Sequence, residues 1–332
     1  MRDDDYYICL EYMNINKDYG SEPLISFIIT THNLTATQVK DCVDSITALS
    51  LRPAEREIIV VDDGSDHSIM SGLMAVGDDI VYIRQRNQGQ SVARNTGLRM
   101  AVGQNIQFVD GSDRLIAEGY EHCIDIVRYN DPDIVLFDYT DKESAKSTYY
   151  IPEPVDGSIY MRHNNLHAMA WGYVFSRRIL LDLRFTPGRL HDDEEFTPQL
   201  FLRAERVYST NIPAYMCRHK RITATPASDK RGIVKRLNDM EQVIVHLRDV
   251  SSSLPQMDSQ ALGRRVAQLT LDYIFYIMRL THSSDQLEER LARLEKLGLF
   301  PLPDKDYTKK YMLFRKLTNH KITRKMLSLV LR

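Results

Sequence analysis

Short, solidly apolar runs recur through the first 140 residues, and most of them end in polar residues. "PLISFIITTHN" (23–33), "REIIVVDDGSD" (56–66), "IVYIRQ" (80–85), "NIQFVDGSD" (105–113) and "DIVLFDYT" (133–140) each read as a buried β-strand: the apolar stretch is short, β-branched and bounded by turn residues. Between them lie segments of helical period. Residues 36–50 place Val39, Val43, Ile46 and Leu49 on one helix face, and helices are also predicted over 68–76, 89–103 and 114–130. Gly103 is a helix stop of the usual kind.

Solidly apolar strands alternating with helices predict an α/β fold with a parallel sheet covered on both faces. In such sheets ligands bind beyond the C-terminal ends of the strands. Three of the predicted strands end there in polar residues: Thr30, Thr31, His32 and Asn33; Asp62 and Asp63; Asp110 and Asp113. One such exit is an ordinary turn, since Asp, Gly and Ser favour turns. Three on one edge predict a site.

After residue 140 the rhythm changes. Residues 142–160 predict a loop or small hairpin. "AMAWGYVFSRRILLDL" carries the only Trp, Trp171. "RLHDDEEFTPQLFLRAE" opens acidic and continues as an amphipathic helix, and "RVYSTNIPAYMCRHKRITATPASD" predicts a strand followed by a basic loop. From about 230 the pattern is helical, with one break at "LGLFPLPD" (297–304).

Composition excludes several classes. Apolar residues make up 43% and charged residues 27% of the 332, as in an ordinary globular protein. The net charge of −2 hides an asymmetry. Residues 307–332 hold eight Lys or Arg and no Asp or Glu, so within the total of −2 the other 306 residues stand at −10. An acidic body disfavours general binding of nucleic acid. Cys9, Cys42, Cys123 and Cys217 form no C-x-x-C pair, which supports neither a zinc site nor a disulfide framework and predicts a reducing compartment. His163, His167 and His191 do not share a metal-ligand spacing. The N-terminus is acidic, unlike a secretory signal, and no run reaches eighteen apolar residues. The basic tail mixes its charges with apolar residues and stands open to two readings: a helix lying on an anionic membrane surface, or one packed on the domain with its basic face solvated.

"ISFIITTHN", "EIIVVDDGSD", "NQGQSVARNTGL", "FVDGSD" and "HDDEEF" resemble, in that order, the motifs of family 2 glycosyltransferases of the GT-A fold, over roughly residues 24–220. The resemblance departs from the family pattern at Thr30, where Pro is usual, at His32, where Tyr is usual, and at Ser112, where the metal motif carries another Asp. It implies a GT-A type α/β fold: a mostly parallel sheet with flanking helices, then a helical C-terminal region. The implied organisation is an irregular extension over 1–22, a glycosyltransferase domain over 23–225, and a helical region over 226–332. Within the domain, 23–140 would hold the nucleotide-sugar and 141–225 the acceptor.

Roles follow from matching positions. Asp63 would accept a hydrogen bond from a base N–H, as a carboxylate does well, and Thr31 would line the same nucleoside pocket. Asp62 reads as a turn cap. Arg94 would reach the nucleotide or hold the neighbouring aspartates. Asp113 would ligate Mg²⁺ or Mn²⁺, with Asp110 on ribose or metal-bound water. Such ions take hard oxygen ligands from one or two carboxylates, phosphate and water, and would neutralise the departing diphosphate. Arg218 and His219, in a basic loop, would close over that diphosphate, with His219 also a candidate metal ligand.

Asp193 would be the general base that takes the acceptor's proton in an inverting transfer, with Asp192 beside it toward the acceptor. Glu194 and Glu195 read as ordinary acidic residues at a helix start. Trp171 stands open between stacking on an acceptor sugar and a place in the core. The resulting expectation is transfer, in the cytoplasm, from a nucleotide-diphosphate sugar, UDP-linked, to a glycan or glycolipid hydroxyl during assembly of a cell-surface polysaccharide or glycolipid. The competing readings are a non-catalytic nucleotide-sugar binding protein, motivated by Ser112 and Thr30, and a sugar-phosphate nucleotidyltransferase. "FIITTHN" lacks the Gly-rich phosphate loop that the latter needs.

Overall fold

The computed structural model describes residues 11–13, 20–73, 80–141, 150–218 and 229–330. Its described parts fall into two compact units, one from 1–157, 167–189 and 199–220, the other from 158–166, 190–198 and 221–332. This division differs from the expected one, because two short stretches of the anticipated acceptor half group with the C-terminal helices.

The first unit is built on one sheet. Its strands are β1 (Glu11–Met13), β2 (Ile25–Thr31), β3 (Arg56–Asp63), β4 (Ile80–Gln85), β5 (Asn105–Asp110), β6 (Arg114–Leu115), β7 (Ile134–Thr140), β8 (Tyr173–Ser176) and β9 (Val207–Met216). They lie in the order β1-β4-β3-β2-β5-β8-β7-β9-β6. The expected parallel sheet is the block β4-β3-β2-β5, in which every pairing is parallel. Toward the other side, β8 runs antiparallel to both β5 and β7, β9 is parallel to β7, and β6 is antiparallel to β9. Three short strands escaped the periodicity: β8, within "AMAWGYVFSRRILLDL", and two shorter ones. β1 pairs antiparallel with β4 inside the segment expected to be irregular, and β6 takes the start of the predicted helix 114–130. Strands of two or three residues are too short for alternation to register.

The helices of this unit are α1 (Ala36–Thr47), α2 (Met70–Leu73), α3 (Gln90–Met100) and α4 (Ala117–Asn130). α1 starts on a capping box in which Thr35 and Gln38 satisfy each other's backbone N–H. Its Val39, Cys42, Val43 and Ile46 pack with Ile25, Phe27, Ile29, Ile58 and Val60 of the sheet and Tyr120 and Ile124 of α4. Ile28, Ile59 and Val61 point the other way and are equally buried, as strands covered on both faces require. Gly97 lets α3 approach that face: a Cβ there would stand 2.2 Å from Ile28 Cγ2. The predicted helix over 68–76 is a single turn, α2, and residues 74–79 lie outside the described part. The described cysteines Cys42, Cys123 and Cys217 are free thiols.

The rest of the chain contributes α5 (Gly157–His163), α6 (Asp192–Phe201), α7 (Lys230–Ser252), α8 (Gln256–Thr281), α9 (Ser284–Lys296), α10 (Lys309–Asn319) and α11 (Lys321–Val330). In the second unit a buried polar network ties α7, α8 and α9. Tyr273 donates to Glu241 at 2.5 Å, and Arg290 donates to Tyr273 at 2.7 Å and to Asn238 at 3.0 Å. No described helix is long and apolar enough to cross a membrane.

Candidate active site

The ends of β2, β3 and β5 are adjacent because those strands are neighbours in register, Thr31 opposite Asp62 and Thr30 opposite Asp110. The exits are stitched to one another. Asn33 N–H donates to Ser65 Oγ at 2.8 Å, Asp66 N–H donates to Asn33 Oδ1 at 2.7 Å, and His32 Nδ1 lies 2.9 Å from the Asp63 carbonyl oxygen. Gly64 makes the turn possible. Its φ is +67°, and a Cβ would fall 2.4 Å from Asn87 N.

Asp62 is the turn cap expected of it. Fully buried, it accepts from Ser65 N–H at 2.9 Å, Ser65 Oγ at 2.6 Å and the Tyr82 hydroxyl at 2.9 Å. Asp63 is held more tightly than its motif suggests. Oδ1 accepts from Gln85 Nε2 at 2.8 Å and Gln88 N–H at 3.0 Å, and Oδ2 accepts from Gly89 N–H at 2.8 Å, just before α3 begins. A carboxylate offers about four acceptor positions, so one remains for a ligand donor. At the adjacent strand end Thr31 is buried, and its Oγ1 has no hydrogen-bond partner among the described residues. A buried hydroxyl left unsatisfied costs free energy that a bound polar ligand would recover.

The stretch Asp110–Asp113 is a turn, closed by the Asp113 N–H donating to the Asp110 carbonyl at 2.9 Å, and it presents both carboxylates. A tyrosine bridges it: Tyr215 Oη accepts from Asp110 N–H at 3.0 Å and donates to Asp113 Oδ2 at 3.1 Å. Asp113 Oδ1 accepts from the Arg218 backbone N–H at 3.0 Å. Asp110 Oδ1 accepts from Gln90 Nε2 at 3.1 Å and lies 4.0 Å from the Arg94 guanidinium. Burial, then the negative charge of Asp113 and Asp110, pushes the Cys42 thiol up; burial and the same two carboxylates do so for the Tyr215 phenol. Negative charge is therefore concentrated here on hard oxygen donors.

That donor set fits Mg²⁺ or Mn²⁺. Asp110 and Asp113 would hold the ion, with phosphate oxygens and water completing its shell. Among the described residues no group of three or more His, Cys, Asp or Glu could hold a metal, so the described part contributes these two carboxylates at most. His219 lies outside the described residues.

Other expected site residues fall differently. Arg94 is buried, its guanidinium over the Phe185 and Phe108 rings at 5.1 and 5.9 Å and against Asp110. Of its two open roles the structure supports holding the aspartate. The Arg218 guanidinium donates to Asp41 Oδ2 from both terminal nitrogens, at 3.0 and 3.1 Å, so a diphosphate would have to draw it from that pair. Trp171 is a core residue and not a sugar platform. It is 2% exposed, stacked on Tyr215 at 4.3 Å between centroids and edge-on to Tyr139 at 5.2 Å, which leaves no open ring face.

Asp192 and Asp193 belong to the second unit. Asp192 is buried and accepts from the Asp193 N–H at 3.0 Å; Asp193 is half-buried. Glu194 pairs with Arg265, and Glu195 lies 3.5 Å from His246 Nε2, so both hold the unit together as well as opening a helix. Burial raises the Glu194 carboxyl pKa, with Arg265 opposing. His191, at φ +62°, is pushed down to about 4 by burial and by Arg236, with Asp239 and Asp193 acting the other way.

Three participants were not visible as site residues in the sequence. Tyr215 is one more inward residue of an apolar strand, Asp41 one more polar residue on α1, and Gln85 the end of a strand. Only the polar ending of "IVYIRQ" carried any signal.

A mixed sheet flanked by helices, whose parallel strands end in Thr31, Asp63 and the Asp110–Asp113 turn, has the GT-A type of fold. Residues 26–179 match the glycosyl transferase family 2 model. Glycosyltransferase GlyA of Streptococcus pneumoniae serotype 4 is 28% identical over 215 residues, 58% of this chain but only 30% of that protein. The chain thus spans under a third of that relative. The uncharacterized glycosyltransferase EpsJ of Bacillus subtilis is 28% identical over 237 residues, 66% of this chain and 68% of that one. Among solved structures, S. aureus TarS 1–349 in complex with UDP-GlcNAc superposes with a TM-score of 0.59 at 16% identity, covering 83% of this chain and 89% of that one. Mannosyltransferase PcManGT from Pyrobaculum calidifontis, in complex with GDP-Man and Mn²⁺, gives 0.56 at 15% identity over 95% and 86%. At these identities the structural likeness establishes the fold alone.

Proposed function

We propose that the chain transfers a hexosyl or related sugar, with inversion, from a nucleotide-diphosphate sugar to a hydroxyl acceptor during assembly of a cell-surface polysaccharide or glycolipid, on the cytoplasmic side. The observation that carries this reading is at the adjacent ends of β2 and β3, where Asp63 keeps one acceptor position and the buried Thr31 hydroxyl has no hydrogen-bond partner among the described residues. Similar folds hold UDP-GlcNAc in one case and GDP-Man with Mn²⁺ in another. The choice of UDP here rests on the motif resemblance.

A bound divalent cation would neutralise charge on the departing diphosphate. Asp110 and Asp113 would hold it, and Arg218, released from Asp41, would add a bidentate phosphate contact. Asp193 is proposed as the base on the match of "HDDEEF" to the family motif. Titration calorimetry of UDP and GDP, with and without Mn²⁺, tests the reading. UDP should bind more tightly with Mn²⁺, Asp63→Ala should weaken UDP binding in either condition, and Asp113→Asn should remove the Mn²⁺ dependence. Absence of binding by either nucleotide, with or without Mn²⁺, would overturn it. Donor hydrolysis in the presence of Mn²⁺ separates an enzyme from a binding protein.

A further inference from the structure

The C-terminal helix faces the wrong way for one packed by its apolar side. Ile322, Met326, Leu329 and Val330 recur at i, i+4, i+7 and i+8, one face of α11, and all four are between 61 and 81% exposed. The opposite face turns inward and is polar. Arg324 donates to Glu288 at 3.1 and 2.9 Å and to the Thr318 carbonyl at 2.8 Å, its guanidinium lies over the Phe300 ring at 5.6 Å, and Ser328 is buried beside it. On α10 the inward arginine is likewise paired, Arg315 with Asp304, while Leu313 is exposed.

The two inward positive charges thus have acidic partners within the unit. The outward ones are lysines: Lys309, Lys310 and Lys316 on α10, Lys321 and Lys325 on α11, all exposed. Lys310 faces the Asp272 carboxylate of α8, and no Asp or Glu occurs within 307–332 itself. A contiguous exposed apolar face marks an interaction surface, and the charge beside it selects the partner. A second copy of the chain, docked through this same face, would bring lysine rows together. An anionic lipid surface meets both features: acyl chains for the apolar row, headgroup charge for the lysines.

We propose that α11 lies on an anionic lipid surface, with Ile322, Met326, Leu329 and Val330 in the headgroup–acyl boundary and Lys321 and Lys325 at the headgroups. This requires no nucleotide, so its failure and that of the donor-site reading are separately visible. The test is co-sedimentation of the full chain with phosphatidylcholine vesicles, with or without phosphatidylglycerol, at low and high salt. The chain should pellet with the anionic vesicles at low salt and be released by high salt. Ile322→Glu with Met326→Glu should weaken binding by about ten-fold or more, and Lys321→Gln with Lys325→Gln should weaken it and flatten its salt dependence. Both pairs are exposed, so circular dichroism and thermal unfolding should match the wild type. Wild-type protein that ignores anionic vesicles at low salt overturns the proposal, as does equal binding by the Glu variant. A reversible dimer by light scattering, lost in the Glu variant and without vesicle binding, assigns the face to a second copy and overturns it too.

Discussion

The Tyr215 hydroxyl donates to Asp113 Oδ2 at 3.1 Å across 102 residues of sequence. The same oxygen accepts the Asp110 N–H, so one phenol ties the Asp110 backbone to the Asp113 carboxylate. Trp171 stacks on its ring. The core therefore reaches the candidate metal pair through Tyr215, and Trp171 acts on the site from behind.

Tyr215→Phe keeps the ring and removes the bridge. Asp110 N–H and one Asp113 oxygen lose a partner in a buried setting, which costs about 1–3 kcal/mol. Denaturant unfolding should show that loss, and calorimetry should show a smaller Mn²⁺ enhancement of UDP binding. Unchanged values in both would remove Tyr215 from the support of the pair.

Trp171→Ala should behave as a core truncation. Loss of a buried Trp typically costs about 3–5 kcal/mol, read as a fall in the unfolding midpoint. The KM for an acceptor should move little, because the ring has no open face. A large rise in acceptor KM with wild-type stability would restore the sugar-stacking role.

If Asp193 is the base, Asp193→Asn should lower kcat by about 10²–10⁴-fold while donor affinity stays near the wild-type value. Asp192→Asn should act mainly on stability, since its carboxylate accepts the Asp193 N–H. Steady-state kinetics on both variants decides the assignment. Loss of transfer in Asp192→Asn alone would shift the base by one position.

His191 makes stability fall in acid. Its pKa drops from the ordinary 6.5 to about 4 on folding, through burial first and Arg236 second. Between those values the unfolded chain binds the proton and the folded chain does not, so stability is lost as pH falls from about 6.5 to about 4. At about 1.4 kcal/mol per pKa unit the loss is on the order of 3 kcal/mol. Asn tolerates the positive φ at this position, so His191→Asn should unfold with a shallower pH dependence in that window. An identical slope would show that the imidazole is not what titrates.

Local pattern determined much of this protein. The strands over 25–31, 56–63, 80–85, 105–110 and 134–140 were readable because each is apolar on both faces, and a strand's exit follows from where its apolar run stops. The polar exits at Thr31, Asp63, Asp110 and Asp113 were readable for the same reason. So was the turn role of Asp62, whose partner Ser65 is three residues away. Tertiary structure alone decided the rest. β8 enters the sheet antiparallel between β5 and β7, a choice no period of two encodes. Arg218 meets Asp41 across 177 residues, and Trp171 meets Tyr215, so their roles depend on which distant surfaces come together. The apolar spacing of α11 was plain in the chain, but periodicity says only that a helix has two faces. Arg324 and its acidic partner Glu288, 36 residues away, draw the polar face inward and leave the apolar one out.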